Sequence, residues 1–204
     1  MNAIKRTPIA EANGPGDTSP AEAGGWLVAA PMSLAGGEQI LTDESHYGKL
    51  LIHGRAGGQA LTALSLAAPT AVGDSARKGD LRVYRLRPDQ LFVSTAPGQE
   101  AVVLPALAAA AGDELITVTD VTHGRAQLRL SGARAAEVLS RLCALDFHDA
   151  RFPNGMAWQT SVAKTTQLVI RDDLDDGQPS YWLIGARSLA AYLWTTLLEA
   201  AHRS

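Results

Sequence analysis

The sequence predicts an α+β protein built from two related halves. Two segments carry that expectation. Asp120 to Leu139 holds a strand, a Ser-Gly turn and the opening of an amphipathic helix. Upstream, Leu50-Leu51-Ile52-His53-Gly54 runs into an apolar helical pattern ending near Ala68. A strand–Gly–helix unit that occurs twice points to paired β-α-β-β-α-type halves, because each amphipathic helix must bury its stripe on the sheet beside it.

Residues 1–25 come first. Pro8, Gly14, Pro15, Gly16, Ser19, Pro20, Gly24 and Gly25 leave this stretch little to bury, so it is expected to be a flexible N-terminal arm. Order is expected to start at Trp26-Leu27-Val28, with an irregular pattern up to Ser45. One domain over 26–204 follows, with halves at about 46–112 and 113–204.

In the first half, Leu50 and Ile52 lie in a short strand and Gly54 marks its turn. Ala60, Leu61, Leu64 and Ala68 fall at helical spacing, and Pro69 stops that helix. The stretch from Thr70 to Asp80 reads as loop. Leu81–Leu86 and Gln90–Val93 flank Arg87-Pro88-Asp89 as a hairpin. Val103, Leu107 and Ala110 then share a helical face, and Pro105 requires that helix either to begin near Leu104 or to kink.

The second half repeats the order. Leu115–Val121 is β-like. In Arg125–Leu130, Ala126, Leu128 and Leu130 alternate with Arg125, Gln127 and Arg129, which predicts one buried and one wet face. Ser131 is the expected N-cap of a helix whose stripe is Ala135, Val138, Leu139, Leu142 and Leu145. An extended region from Trp158 to Ile170 breaks near Lys164-Thr165. An acidic turn over Asp172–Gln178, a strand over Tyr181–Ile184 and a final helix over Ser188–His202 complete the chain. Gly54 matches Gly132, and Leu61 matches Leu139.

Composition narrows the function. The 204 residues carry a net charge of −3, unlike a nucleic-acid binder, whose phosphate contacts need a basic surface. Cys143 is the only cysteine, which suits a reducing compartment. No apolar run approaches the ~20 residues of a membrane span, and no apolar core follows Lys5 and Arg6 as in a secretory signal. The expectation is a cytoplasmic protein.

The residues suggest no active site of their own. His46, His53, His123, His148 and His202 lack metal-ligand spacing, and Cys143 has no assignable base. Gly54-Arg55-Ala56-Gly57-Gly58 lacks the third spaced glycine of a dinucleotide loop, so tight turning accounts for it. Asp172, Asp173, Asp175 and Asp176 resemble half of a calcium loop without its glutamate, and a solvated hairpin turn is the expectation. Trp158, Trp182 and Trp194 could line a ligand surface, although Trp194 falls on the apolar side of the last helix and is expected in core or interface. Catalytic, cofactor-binding and metal residues are therefore expected to number none on this chain.

The run Asp120-Val121-Thr122-His123-Gly124-Arg125, followed by Leu128-Arg129-Leu130-Ser131-Gly132-Ala133-Arg134-Ala135, resembles the folate-binding aminomethyltransferase superfamily. Within it, the sequence looks like the gamma subunits of heterotetrameric sarcosine oxidase. Leu86-Arg87-Pro88-Asp89-Gln90-Leu91, Leu145-Asp146-Phe147-His148 with Phe152-Pro153 and Gly155, Gln159-Thr160 and Tyr192-Leu193-Trp194 carry that likeness from about residue 45 onward. The resemblance implies alpha, beta and delta partner subunits. It also implies FAD, FMN, NAD, tetrahydrofolate and zinc held on those other subunits, with no cofactor on this chain. The implied reaction oxidatively demethylates sarcosine to glycine and formaldehyde or 5,10-methylenetetrahydrofolate. Aminomethyltransferases place a catalytic carboxylate in a hairpin matched here by Ala163-Lys164-Thr165-Thr166-Gln167-Leu168-Val169-Ile170, where no acid occurs before Asp172. A non-catalytic subunit is the leading expectation. The alternatives are a stand-alone folate-binding aminomethyltransferase-like protein, a gamma-type subunit of a related N-methyl amino acid dehydrogenase, and a regulatory small-molecule module.

Overall fold

The structure, a computed structural model, describes residues 4–11, 19–34, 37, 39–112 and 114–202. It is richer in strands than the sequence suggests. In chain order these are β1 (Lys5–Arg6), β2 (Ala21–Ala23), β3 (Trp26–Val28), β4 (Met32–Leu34), β5 (Gln39–Asp43) and β6 (Gly48–His53). Then follow α1 (Gly57–Ala60), β7 (Ser75–Lys78), β8 (Leu81–Arg87), β9 (Gln90–Thr95), α2 (Glu100–Ala111) and β10 (Thr117–Asp120). The chain continues with β11 (Arg125–Gly132), α3 (Ala135–Ser140), β12 (Ala157–Val162), β13 (Thr165–Arg171), β14 (Ser180–Ala186) and α4 (Ala190–His202).

Two compact units emerge. One comprises residues 47–123 with 155–158; the other comprises 1–46, 124–154 and 159–204. The expected boundary near residue 113 therefore moves, because β10 pairs with β6 of the first half (Val118 opposite Ile52) and β5 pairs with β11 of the second (Leu41 opposite Leu130).

The sheets show the repeat directly. The five-stranded sheet runs β10-β6-β9-β8-β7, and the six-stranded sheet runs β12-β13-β14-β11-β5-β4. Read in the same sense, β6, β7, β8 and β9 correspond to β11, β12, β13 and β14. Each half is thus β-α-β-β-β-α rather than the expected β-α-β-β-α. The missed strand, β7, lies within the supposed loop, where Ser75-Ala76-Arg77-Lys78 lacks the apolar alternation that marks a half-buried strand. Gly54 and Gly132 sit at matching strand ends with φ of +130° and +126°. Their N–H groups donate to Asp89 O (2.9 Å) and Pro179 O (3.0 Å), each in the connection that leads into the fourth strand of its half.

In the unit around residues 47–123, Leu50, Ile52, Ala60, Leu61, Val83, Leu91, Val93 and Leu107 form the core. Each fully buried Leu, Val or Ile there contributes about 1.5–3 kcal/mol. The first helix is shorter than its spacing predicts: α1 gives way to a 3₁₀ turn over Leu61–Leu64 that ends at Ser65 with φ 52°. By contrast α2 begins at Glu100 and runs straight through Pro105. The carbonyl of Ala101, deprived of its helical donor by Pro105, belongs to an exposed residue that water can reach.

In the other unit, β11 is not half wet. Its burial extends to both faces, with Gln127 fully enclosed, and β14 and β5 pair along its two edges. Ser131 lies inside β11 and donates to Ile40 O (3.4 Å); α3 begins after Arg134 with no side-chain cap. Ala135, Val138 and Leu139 bury the part of the predicted stripe that lies in α3, which ends at Ser140 short of Leu142 and Leu145; in α4 Leu193, Trp194, Leu197 and Leu198 are buried.

Where the sequence predicts a flexible arm over 1–25, residues 1–3 and 12–18 lie outside the described residues. Of the rest, Lys5–Arg6 and Ala21–Ala23 are paired: β1 and β2 flank β3 in a three-stranded sheet. Thr7, Ile9 and Ala10 are buried, and the Asp43 carboxylate accepts hydrogen bonds from Thr7 Oγ1, Ala29 N (3.0 Å) and Ser45 N (3.1 Å). One buried isoleucine and one buried acceptor anchor a segment whose composition alone signals disorder.

Gly54 offers a direct check. A Cβ there would lie 2.4 Å from Leu115 O on a backbone at φ +130°. Gly54→Ala is expected to lower the urea-unfolding free energy by about 2–4 kcal/mol.

Candidate functional site

The densest polar chemistry lies on the six-stranded sheet, where two arginines are held among carboxylates. Arg129 projects from β11. Its Nε donates to Glu44 Oε1 (2.6 Å), Nη1 to Ser180 Oγ (2.8 Å) and Asp172 O (3.1 Å), and Nη2 to Asp172 Oδ2 (3.4 Å). The guanidinium also lies 4.8 Å from the Trp182 ring centre. Each of its three nitrogens is thus engaged.

Arg171 ends β13. Its Nε donates to Asp173 Oδ1 (2.9 Å), and Nη1 reaches Asp149 Oδ1 (2.5 Å) and Phe152 O (3.0 Å). Tyr181 stands 5.9 Å from the guanidinium, and Phe147 and Phe152 pack on that tyrosine at 5.4 and 6.4 Å. Burial opposes the charge on Arg171, yet the hydrogen bonds it donates to the Asp173 and Asp149 carboxylates outweigh it and hold its pKa above the ordinary value. The hydrogen bond from Arg171 lowers the pKa of Asp149, and burial raises that of the Tyr181 phenol.

This arrangement corrects the acidic-turn expectation. Asp172 is buried and the Asp173 side chain is 13 % exposed, both spent on arginines; only Asp175 and Asp176 face solvent. Alternation could not reveal this, since Arg125, Gln127 and Arg129 look like one solvent face until β11 is known to be central. The arrangement is built to neutralise buried charge and to fix the loop from Asp146 to Gly155.

The remaining candidates are dispersed. His53 is exposed on β6, within 2.7 Å of Gln90 Nε2, and His148 Nδ1 accepts the Ala150 N–H (3.3 Å). Among the described residues no three His, Cys, Asp or Glu side chains are grouped to hold a metal ion. Cys143 is buried, with its Sγ accepting Leu145 N–H (3.4 Å). Gly57 and Gly58 sit where a Cβ would be 3.0 Å from Ile52 and Ala68, so close packing explains them. Trp182 and Trp194 are core residues, whereas Trp158 is 44 % exposed. Two depressions open to solvent, of about 640 and 300 Å³; Arg187 and Ser188 line the first, Asp80 and Thr95 the second. Among the described residues no helix is long and apolar enough to cross a membrane.

The hairpin where a folate enzyme would carry its acid consists of β12, the turn Ala163-Lys164 and β13. From Ala157 to Ile170 its only charged residue is Lys164. Both turn residues are left-handed, with φ 49° and 63°, a conformation costing roughly 1–2 kcal/mol per non-glycine residue. Ala163 N donates to Leu142 O (2.9 Å) and Tyr192 Oη donates to Ala163 O (3.1 Å), which clamps the turn from outside the hairpin.

The fold is shared with the glycine cleavage system aminomethyltransferase T from Bartonella henselae. That match has a TM-score of 0.76 at 17% identity, covering 96% of this chain and 57% of that one. A finer assignment comes from the sequence: residues 52–203 match the model of the sarcosine oxidase, gamma subunit family. The chain belongs to that family. It is 31% identical to the sarcosine oxidase subunit gamma of Corynebacterium sp. (strain U-96) over 85% of this chain and 86% of that protein. It is 32% identical to the protein of the same name from Corynebacterium sp. (strain P-1), over 58% of this chain but only 55% of the relative's length. A chain of the heterotetrameric sarcosine oxidase from Corynebacterium sp. U-96, in complex with pyrrole 2-carboxylate, superposes with a TM-score of 0.73 at 24% identity, covering 84% and 88% of the two chains.

Two measurements probe the ion network. Arg171→Met leaves the Asp173 carboxylate buried without its cation and is expected to cost about 3–5 kcal/mol in urea unfolding. The double variant Arg171→Met/Asp173→Asn should recover part of that loss. Because the folded pKa of Asp149 lies below its ordinary 3.8, the unfolded chain takes up the proton first as acid is added. Stability from this pair is therefore complete above that range and is lost as the pH falls below it. Asp149→Asn should flatten the stability curve below about pH 4, read by thermal unfolding across pH.

Proposed function

We propose that the chain is the gamma subunit of a heterotetrameric sarcosine oxidase-like complex and serves it as a non-catalytic structural component. Alpha, beta and delta subunits are its partners in this reading, in the cytoplasm. The complex removes the N-methyl group of sarcosine oxidatively, giving glycine and formaldehyde or 5,10-methylenetetrahydrofolate. FAD, FMN, NAD, tetrahydrofolate and zinc reside on the other subunits.

Membership of the gamma family, spread over residues 52–203, carries the assignment to such a complex. The division of labour is supported by the hairpin. In this reading, methylene transfer to a folate amine needs a carboxylate placed to hold the amine and manage its proton. Between Ala157 and Ile170 there is none, and Asp172 and Asp173 beyond it are paired with Arg129 and Arg171.

Co-expression of the tagged full chain with its candidate partner subunits tests the reading. The expected outcome is a co-purified assembly with a flavin absorption spectrum that oxidises sarcosine, while the chain alone neither oxidises sarcosine nor gives heat on titration with tetrahydrofolate. A chain that purifies free of flavoprotein, or that binds tetrahydrofolate alone, would overturn it.

A further inference from the structure

The two halves differ at one sheet edge. In the six-stranded sheet β5 is covered on both sides, with Leu41 opposite Leu130 of β11 and opposite Met32 of β4. In the five-stranded sheet β10 holds the position of β5. Gly54 matches Gly132, so Ile52 matches Leu130, and Val118, opposite Ile52, is the counterpart of Leu41. Nothing among the described residues takes the place of Met32, and β10 ends its sheet.

This edge has its pairing groups free. Val121 N–H donates to Lys49 O (2.9 Å), so Thr119 and Thr117, at alternate positions, turn their backbone groups toward β6. The N–H and C=O of Val118 and Asp120 point the other way, where no strand among the described residues receives them. Natural sheets blunt such edges with charge, proline or a bulge. The opposite edge of the same sheet does so, since β7 carries exposed Arg77 and Lys78. By contrast β10 offers Thr117-Val118-Thr119, three residues that favour pairing. The helix behind it is uncovered as well. α2 packs on β10, whereas its counterpart α4 reaches one strand further, onto β4. From Ala101 to Gly112 there is no polar or charged side chain, yet Ala101, Val102, Pro105, Ala108 and Ala109 are exposed. Leu115, in the connection to β10, is 94 % exposed. A helix apolar all round is ordinarily enclosed all round.

We infer that the β10 edge, with α2 behind it, receives an extended segment of a partner subunit as a sixth strand antiparallel to β10. β4 sets the chemistry of that segment: apolar residues at alternate positions, as Met32 and Leu34 are buried on either side of exposed Ser33. Main-chain bonds to Val118 and Asp120 hold the strand, and its apolar side chains select it. Another chain must supply it, because every strand among the described residues already has its place in a sheet. A second copy of this chain is the poorer occupant. Exposed acids, Glu114 and Asp120, stand at the two ends of β10. Antiparallel pairing of two β10 strands about Val118 would set Asp120 of each copy near Glu114 of the other, like charge beside like. A partner segment with basic flanks meets the same acids favourably. This rests on the subunit reading above and adds to it the surface used and the form of what docks there.

The test is hydrogen–deuterium exchange of the full chain, alone and in the co-purified complex. The Val118 and Asp120 amides are expected to exchange fast in the isolated chain and at least about a hundredfold more slowly in the complex. The Thr117 and Thr119 amides, bonded to β6, serve as the internal control. Binding to the purified alpha, beta and delta subunits is measured beside it by biolayer interferometry. Val118→Pro removes an outward donor without touching a bond to β6, and Ala108→Glu places a charge on the exposed helix face. Each is expected to weaken binding about tenfold or more, with the melting temperature of the isolated chain within about 3 °C of wild type. Unchanged exchange of Val118 and Asp120 in an assembled complex, or wild-type affinity in both variants, would overturn the inference and leave the subunit reading standing. Protection already present in the isolated chain would overturn it too: lost on dilution, it assigns the edge to a second copy; kept on dilution, to the chain's own remaining residues. A wild-type chain that joins no complex overturns the subunit reading, and this inference with it.

Discussion

Neutralising Arg129 on the central strand β11 is the requirement around which the larger unit is arranged. A guanidinium on a strand enclosed on both faces needs its donors satisfied and its charge opposed, or it costs several kcal/mol. Glu44, just past β5, supplies one carboxylate and Asp172, just past β13, supplies the other, with Ser180 of β14 completing the set. One side chain thus links the ends of three other strands. Arg171 extends the scheme through Asp173 and Asp149 to the loop before β12. Such pairs add little net stability compared with apolar packing; their effect is to make other registers expensive, since a slip by one residue would separate every partner.

Much of the fold is legible in the residues. Paired strand–Gly–helix units, the Arg87-Pro88-Asp89 hairpin and the apolar stripes of α3 and α4 all rest on local periodicity and turn chemistry, which the structure retains. What escapes is set by distant neighbours. β7 has no apolar alternation and becomes a strand only because β8 offers an edge. The face of β11 expected to be wet is enclosed, with Gln127 fully buried, and β5, from about 90 positions upstream, pairs along its edge. Likewise Asp172 and Asp173 look like a solvated turn until Arg129 and Arg171 are brought to them. The described parts of the N-terminal segment are tied down by Thr7, Ile9 and Asp43, a buried contact that composition averages away.

At 17% identity the likeness to the aminomethyltransferase is one of fold. Within this chain the two sheets share a strand order, and Gly54 and Gly132 share a positive φ and an equivalent N–H bond, so the internal repeat extends to individual hydrogen bonds. The hairpin β12–β13 turns on Ala163 and Lys164. Core packing and turn geometry constrain different positions from those that touch a substrate, so a shared fold does not by itself carry a shared activity.

The exchange of β5 and β10 between the two units has a consequence for synthesis on the ribosome. The unit built on residues 47–123 draws almost wholly on a continuous stretch and can assemble its sheet as soon as β10 has emerged. β5 must wait. Its partner β11 lies far downstream, and β11 itself remains half-paired until β14 has been made at residue 186. During that interval β5 can pair only with β4, and its other edge stays open. Contacts this distant in the chain close slowly and leave edges exposed meanwhile. The completion of β11 and β14 therefore determines when the open edge of β5 is covered.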